Sequence, residues 1–221
     1  MLRMALLGVV LALGFGACKE PARAHSALEV GDYSRAKISF NLLLNRSPQN
    51  MEYRQGLVLS YLQHAQDSLN PMDLHDWYQA GKECVILQES SQRSATLELC
   101  GRVFVHSAYA YMRAGKLNVA MDWLHHALNV EPQNVFALNL QAMILREWNQ
   151  KQQAEDIWNL IQAQQPDFIP AYLHLGHLYW DAQDYAGAWF MWKEALQLDS
   201  THDALLYWHQ QAEIKLLEVE D

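Results

Sequence analysis

His174, His177 and Asp181 stand three and four residues apart. On a helix that spacing puts them roughly on one side, where two imidazoles and a carboxylate could hold a metal ion. Neither a fourth ligand nor a group to orient the imidazoles can be identified, so packing roles outweigh metal binding, and no metal or cofactor is expected. His125 and His126 are neighbours that point in different directions, which suits surface or packing roles. Cys84 and Cys100 are expected on successive antiparallel helices, about equally far from a turn near Ser91. Such packing would bring them level, and in an oxidising compartment they could form a disulfide. The alternative is two buried thiols that behave as small apolar residues. Catalytic use of a cysteine with His106 lacks a group to orient the base. No phosphate-cradling glycine loop, CxxC pair, HExxH or GxSxG occurs in the chain. A repeat scaffold also fills almost all of its length, so an enzyme is not expected.

The elements that must position these residues follow from composition and period. The chain has 221 residues, 51% hydrophobic and 19% charged, with 8 Trp but only 10 Gly and 6 Pro. That suits packed helices joined by short turns and argues against disorder. The formal charge of −9, without basic runs, makes nucleic acid a poor partner. It also leaves no polybasic patch for a membrane surface.

One pattern recurs every 34 residues from Gly101 to Ser200. Ala108, Ala142 and Gly176 keep that step, as do Ala120, Ala154 and Ala188. So do Leu124, Trp158 and Trp192, then Ala127, Ile161 and Ala195, then Pro132, Pro166 and Ser200. Small residues recur where backbones would touch, and large apolar ones where a gap must be filled. A fixed period of this length signals a helical solenoid, whose units must stack to bury their apolar faces. The pattern predicts helices over 22–30, 33–45, 51–66, 77–89, 92–114, 118–130, 135–148, 152–164, 170–182 and 185–198. A last helix from Asp203 would cap the open end. The domain organisation expected is 1–17 signal, 18–50 short unit, 51–100 degenerate unit, 101–202 three regular units and 203–221 cap. An insertion near 67–76, with the Asn70–Pro71 turn signal, delays the second helix of the degenerate unit.

Ahead of the helices, Arg3 precedes an apolar run of 12 residues from Met4 to Phe15, short for a bilayer span and right for a signal-peptide core. Gly16, Ala17 and Cys18 follow. This resembles a bacterial lipoprotein signal, which implies cleavage before Cys18 and lipidation, palmitate included, of that residue. The usual Leu three places before the Cys is Phe15 here. Two alternatives stay open: ordinary secretory cleavage after the Ala22-Arg23-Ala24 site, giving a soluble periplasmic chain, and a retained membrane helix. Lys19 after the Cys implies the outer membrane, facing the periplasm, rather than inner-membrane retention.

The repeats resemble the tetratricopeptide repeat (TPR), which prefers Trp, Leu, Gly and Tyr on its first helix and Ala, Phe, Ala and Pro thereafter. The unit starting at Ile169 has Tyr172, Leu175, Gly176, Tyr179, Ala188, Trp192, Ala195 and Ser200 at those places. The resemblance implies an all-α, right-handed superhelical solenoid with a concave groove lined by the first helices. Carried over, the groove residues are Arg102, Val105, Tyr109, Met112 and Arg113, then Phe136, Asn139, Met143, Arg146 and Glu147. The last set is Pro170, Leu173, His177, Trp180 and Asp181. Aromatics, Met and Arg are enriched at interface hot spots, so an extended or helical segment of a protein partner is expected there. A clamp for a peptide's C-terminal carboxylate is not expected. Asn139 and Arg146 are present, but Gln55, Leu59 and Val105 stand where the family's clamp Lys and Asn would be. Signal and repeats together resemble bacterial envelope TPR lipoproteins, including pilus-assembly and murein-hydrolase-adaptor proteins. The implied function is a scaffold or adaptor that supports assembly or localisation of an envelope complex. The rivals are a self-associating structural subunit and a metal-dependent enzyme.

Overall fold

The computed structural model describes residues 19–68, 74–90 and 93–220. Cys18, the Asn70–Pro71 turn and Ser91, near the turn expected between the helices of Cys84 and Cys100, lie outside these residues. Among them the chain is all helix: α1 (Glu20–Glu29), α2 (Tyr33–Arg46), α3 (Met51–Asp67), α4 (His75–Ser90), α5 (Ser94–Arg113), α6 (Leu117–Val130), α7 (Val135–Glu147), α8 (Lys151–Gln164), α9 (Ile169–Asp181), α10 (Tyr185–Leu198) and α11 (Asp203–Glu220). None is long and apolar enough to cross a membrane. Two compact units divide at Glu131 and Pro132. Within each, successive helices pack as hairpins, and alternate helices also touch.

Local chemistry sets the helix ends. Asp32, Asn50, Asn134 and Asp184 each accept a backbone N–H three residues ahead, satisfying a donor the helix itself leaves open. The parallel between Ser47-Pro48-Gln49-Asn50 and Glu131-Pro132-Gln133-Asn134 is therefore a shared cap. Inside the hairpins the chain reverses through a left-handed residue. Gly115, Asn149 and Gln183 take φ of +71°, +60° and +62° and stand 34 residues apart, and Gly31 does the same in the first hairpin at +78°. Glycine bears this conformation without cost, asparagine at small cost, and glutamine under strain.

The ladder of small and large residues is a set of close approaches. A Cβ on Gly176 would lie 2.1 Å from Nε1 of Trp192, so the indole of α10 rests directly on the α9 backbone. Gly56 receives Phe40 and Gly81 receives Trp123 in the same way. Phe40, Phe104, Trp158 and Trp192 are fully buried and dominate the core.

In unit 1, α4 and α5 do bring Cys84 and Cys100 level, but no disulfide joins them. Both are free, fully buried thiols. The Cys100 thiol is aimed at the Cys84 carbonyl oxygen, 3.6 Å away. Burial, and the neighbouring Cys100, push the Cys84 thiol well up, which keeps it protonated.

Candidate functional site

The first helix of each hairpin was expected to carry the binding face. In unit 1 that helix is α5, and its buried stripe of Val103, Phe104, Ser107, Ala108 and Tyr111 fixes which side turns outward. Arg102, Tyr109 and Arg113 are exposed, with Val105 and Met112 half-buried among them. Tyr109 is 47% exposed, high for an aromatic ring. Arg113 donates to its hydroxyl at 3.4 Å, one helical turn away. Among the described residues no carboxylate pairs with Arg102 or Arg113. This face therefore offers two guanidinium groups, a phenol and a thioether to the outside. His106 lies flat against Trp77 of α4, with ring centroids 5.9 Å apart. Burial and the nearby Arg102 lower its pKa, which favours the neutral, packed form.

Unit 2 treats its expected site residues unevenly. Phe136 is 63% exposed, with its ring edge-on to Phe168 at 5.6 Å. Glu147 is exposed, and Met143 and Arg146 are half-buried. Asn139 is already engaged: its carbonyl oxygen accepts from the Trp158 indole at 3.0 Å and its amide reaches the Met143 sulfur at 3.8 Å. It belongs to the packing of α7 on α8.

The third expected set is largely covered by the chain's own last helix. His177 meets Trp208 of α11 edge-to-face at 4.9 Å, and Trp180 meets it at 5.7 Å. Trp192 completes the group, 5.8 Å from Trp208 and 5.4 Å from His177. Leu173 packs against the same cluster, and its carbonyl accepts from Trp192 Nε1 at 3.2 Å. His177, Trp180 and Leu173 thus serve as a socket for α11. That corrects the expectation that they line an open groove. Asp181 is exposed at the end of α9, and Pro170 sits at its start.

The same packing engages both imidazoles. His174 stacks on Trp158 at 5.2 Å, whereas His177 meets Trp192 and Trp208. Burial, with the charges of Arg146 and His177, lowers its pKa to about 4. His177 is also lowered, first by burial and then by Arg146. Both imidazoles are neutral packing groups, and among the described residues no three metal-ligating side chains converge. His126 is likewise a packing group, stacked on Phe104 at 5.2 Å, and His125 is exposed.

Sequence reasoning missed two polar clusters in unit 1. Lys37 Nζ lies 3.0 Å from both carboxylate oxygens of Asp76 and from Nδ1 of His64, and His64 also touches Asp76. Arg54 pairs with Glu83 and donates to the Pro48 carbonyl at 2.8 Å. Their members are 39 and 29 residues apart, off the 34-residue step, so no period announced them.

Paired helices, a 34-residue step and left-handed hairpin turns define a helical-repeat protein. More narrowly, the fold is that of the tetratricopeptide repeat. The crystal structure of YrrB, a TPR protein with an unusual peptide-binding site, superposes with a TM-score of 0.60 at 15% identity, covering 83% of this chain and 87% of that one. A TPR protein from Parabacteroides merdae gives 0.64 at 13% identity, over 90% and 72%. PilW, a widely conserved type IV pilus biogenesis factor, gives 0.52 at 16% identity, over 89% and 84%. At these identities the likeness is one of fold. No protein-family model matches the chain, and no curated protein matches it by sequence.

Proposed function

We propose that this chain is an envelope adaptor, held to the outer membrane by a lipid on Cys18, that binds a segment of a protein partner on the first-helix faces of its repeats. One observation carries the binding role: the outer side of α5 exposes Tyr109 between two arginines that no carboxylate of the described residues neutralises. A ring at 47% exposure is an unusual surface to leave bare, and Arg and Tyr are the residues that most often carry interface energy. The fold supports the reading, since YrrB is described as having a peptide-binding site and PilW as a pilus biogenesis factor. The anchor rests on residues 1–18, where a short apolar core leads into Gly16, Ala17 and Cys18. A lipid on Cys18 would fix position, and the stacked hairpins would fix the spacing of the binding face.

Affinity capture from membranes tests the binding face. The native chain should retain partners that a Tyr109→Ala, Arg102→Glu variant loses, and identical recovery would reject this face. Metabolic labelling with a fatty acid tests the anchor separately. Label should disappear on Cys18→Ser, and unchanged labelling would reject Cys18 as the lipid site.

A further inference from the structure

The helix that follows the last regular hairpin, α11, packs one side on the repeats and leaves the other to water. The outer side of α11 is not polar. Its inner side is spent on the fold: Leu205 and Ala212 are fully buried, and Trp208 sits in the aromatic socket. Outward, Tyr207, Ile214 and Leu217 are 55%, 42% and 61% exposed, with Leu206 beside them at 46%. Tyr207, Gln210, Ile214 and Leu217 advance by steps of three, four and three. That is the spacing of a seam between two paired helices, and α11 is long enough, at 18 residues, to offer such a seam. Exposed Glu213 and Glu218 occupy the flanks, and exposed Asp203 lies at the N-terminal end. The one lysine of the helix, Lys215, pairs with Glu218 at 2.6 Å, and with Asp203, Glu213 and Glu218 set against this single lysine the strip stays acidic.

The charge decides what this strip can pair with. In a parallel pair of identical helices, Glu213 of one would face Glu218 of the other. In an antiparallel pair each glutamate would face its own copy. Both arrangements set like charges together along the seam. We infer that the outer face of α11 is a docking strip for an amphipathic helix of another protein, with apolar residues at the same alternating spacing and Lys or Arg on its flanks. Gln210 would fix the register, as a polar residue within an apolar seam does. This strip is distinct from the α5 face and stands or falls independently of it.

Fluorescence anisotropy with a labelled designed helix of about three heptads tests it, using Leu along the seam and Lys on the flanks. The full chain should bind this probe saturably, and more weakly as salt rises. Replacing the probe's Lys by Glu should weaken binding at least about tenfold. A chain with Ile214→Asp and Leu217→Asp should lose binding by a similar factor, with an unchanged helical circular dichroism spectrum. A Glu213→Lys, Glu218→Lys chain should reverse the preference and select the Glu-flanked probe. That reversal is beyond a merely sticky surface, and it keeps the test available if the Asp variant misfolds. Equal binding of both probes, undiminished binding by the Asp variant, or an unreversed preference would each overturn the proposal. So would a concentration-dependent dimer in sedimentation that Ile214→Asp abolishes, which would make the occupant a second copy.

Discussion

Both units stack aromatic rings between their helices, but the ion pairs that join one helix to another among the described residues lie in unit 1. Five of the six salt-bridge contacts among the described residues belong to unit 1, two of them made by a histidine, and they include Lys37 with Asp76 and Arg54 with Glu83, both largely shielded from water. The sixth, Lys215 with Glu218, joins two residues of one helix and ties no hairpin. In unit 2 the equivalent work falls to Trp180, Trp192 and Trp208 with His177, and to Trp158 with His174. The lesson concerns tolerance. A shielded ion pair contributes little against an apolar pair of the same shape, yet losing one partner strands the other. An aromatic cluster contributes in proportion to buried area and degrades with each ring removed.

The largest effect should come from stranding a charge. Asp76→Ala leaves Lys37 unneutralised and is expected to destabilise unit 1 by about 3–5 kcal/mol. The companion Lys37→Met, Asp76→Leu should recover most of that loss. Chemical denaturation of the three chains measures the difference, and a double variant no better than Asp76→Ala would break the contrast. Trp208→Ala should cost unit 2 about 3–5 kcal/mol by emptying the aromatic socket, seen as earlier loss of near-ultraviolet dichroism. A loss under about 1 kcal/mol would show that α11 is held by other means.

Acid should also separate the units. His174 has its folded pKa depressed to about 4, below its unfolded value of 6.5, so the unfolded chain binds its proton first. Stability from this group is complete above pH 6.5 and declines as pH falls toward 4, by on the order of 3 kcal/mol. His174→Leu should flatten that part of the stability profile, as followed by denaturation at stepped pH. An unchanged slope would assign the acid sensitivity elsewhere. Next in size, Gly176→Ala would drive a methyl group into Trp192 and should lower stability by about 1–3 kcal/mol. Smallest and opposite in sign, Gln183→Gly relieves the left-handed strain of a non-glycine residue and should raise the melting temperature slightly, by about 1 kcal/mol of stability.

How much of this was legible depends on whether a feature repeats. Ala108, Ala142 and Gly176 announced the fold because each hairpin needs the same close approach. The caps at Asp32, Asn50, Asn134 and Asp184 came only with the structure, since each depends on where its helix begins. The outward residues of α5, Arg102, Tyr109 and Arg113, came from the resemblance, and the structure leaves all three exposed. A capping helix with Trp208 on its packing side was legible, as was the alternative that some groove residues pack against it; which ones it covers was not, because no period says where a cap docks. Lys37 and Asp76 escaped notice because neither stands at a repeated place. Gln183 could not be told from an ordinary turn residue until its φ was in view.

The pairing of imidazole with indole reaches beyond stability. His106 lies beside Trp77, His126 beside Trp123, His174 beside Trp158, His177 beside Trp192 and Trp208, and His209 beside Trp189, all with centroids under 6 Å. A protonated imidazole quenches a neighbouring indole, and a neutral one does so far less. The light emitted by this chain is therefore a record of its histidine charges, written by residues in contact with most of its tryptophans. Because His174 and His177 hold their neutral form to lower pH than an exposed histidine, the emission of Trp158, Trp192 and Trp208 should dim late in an acid titration, in an order set by burial.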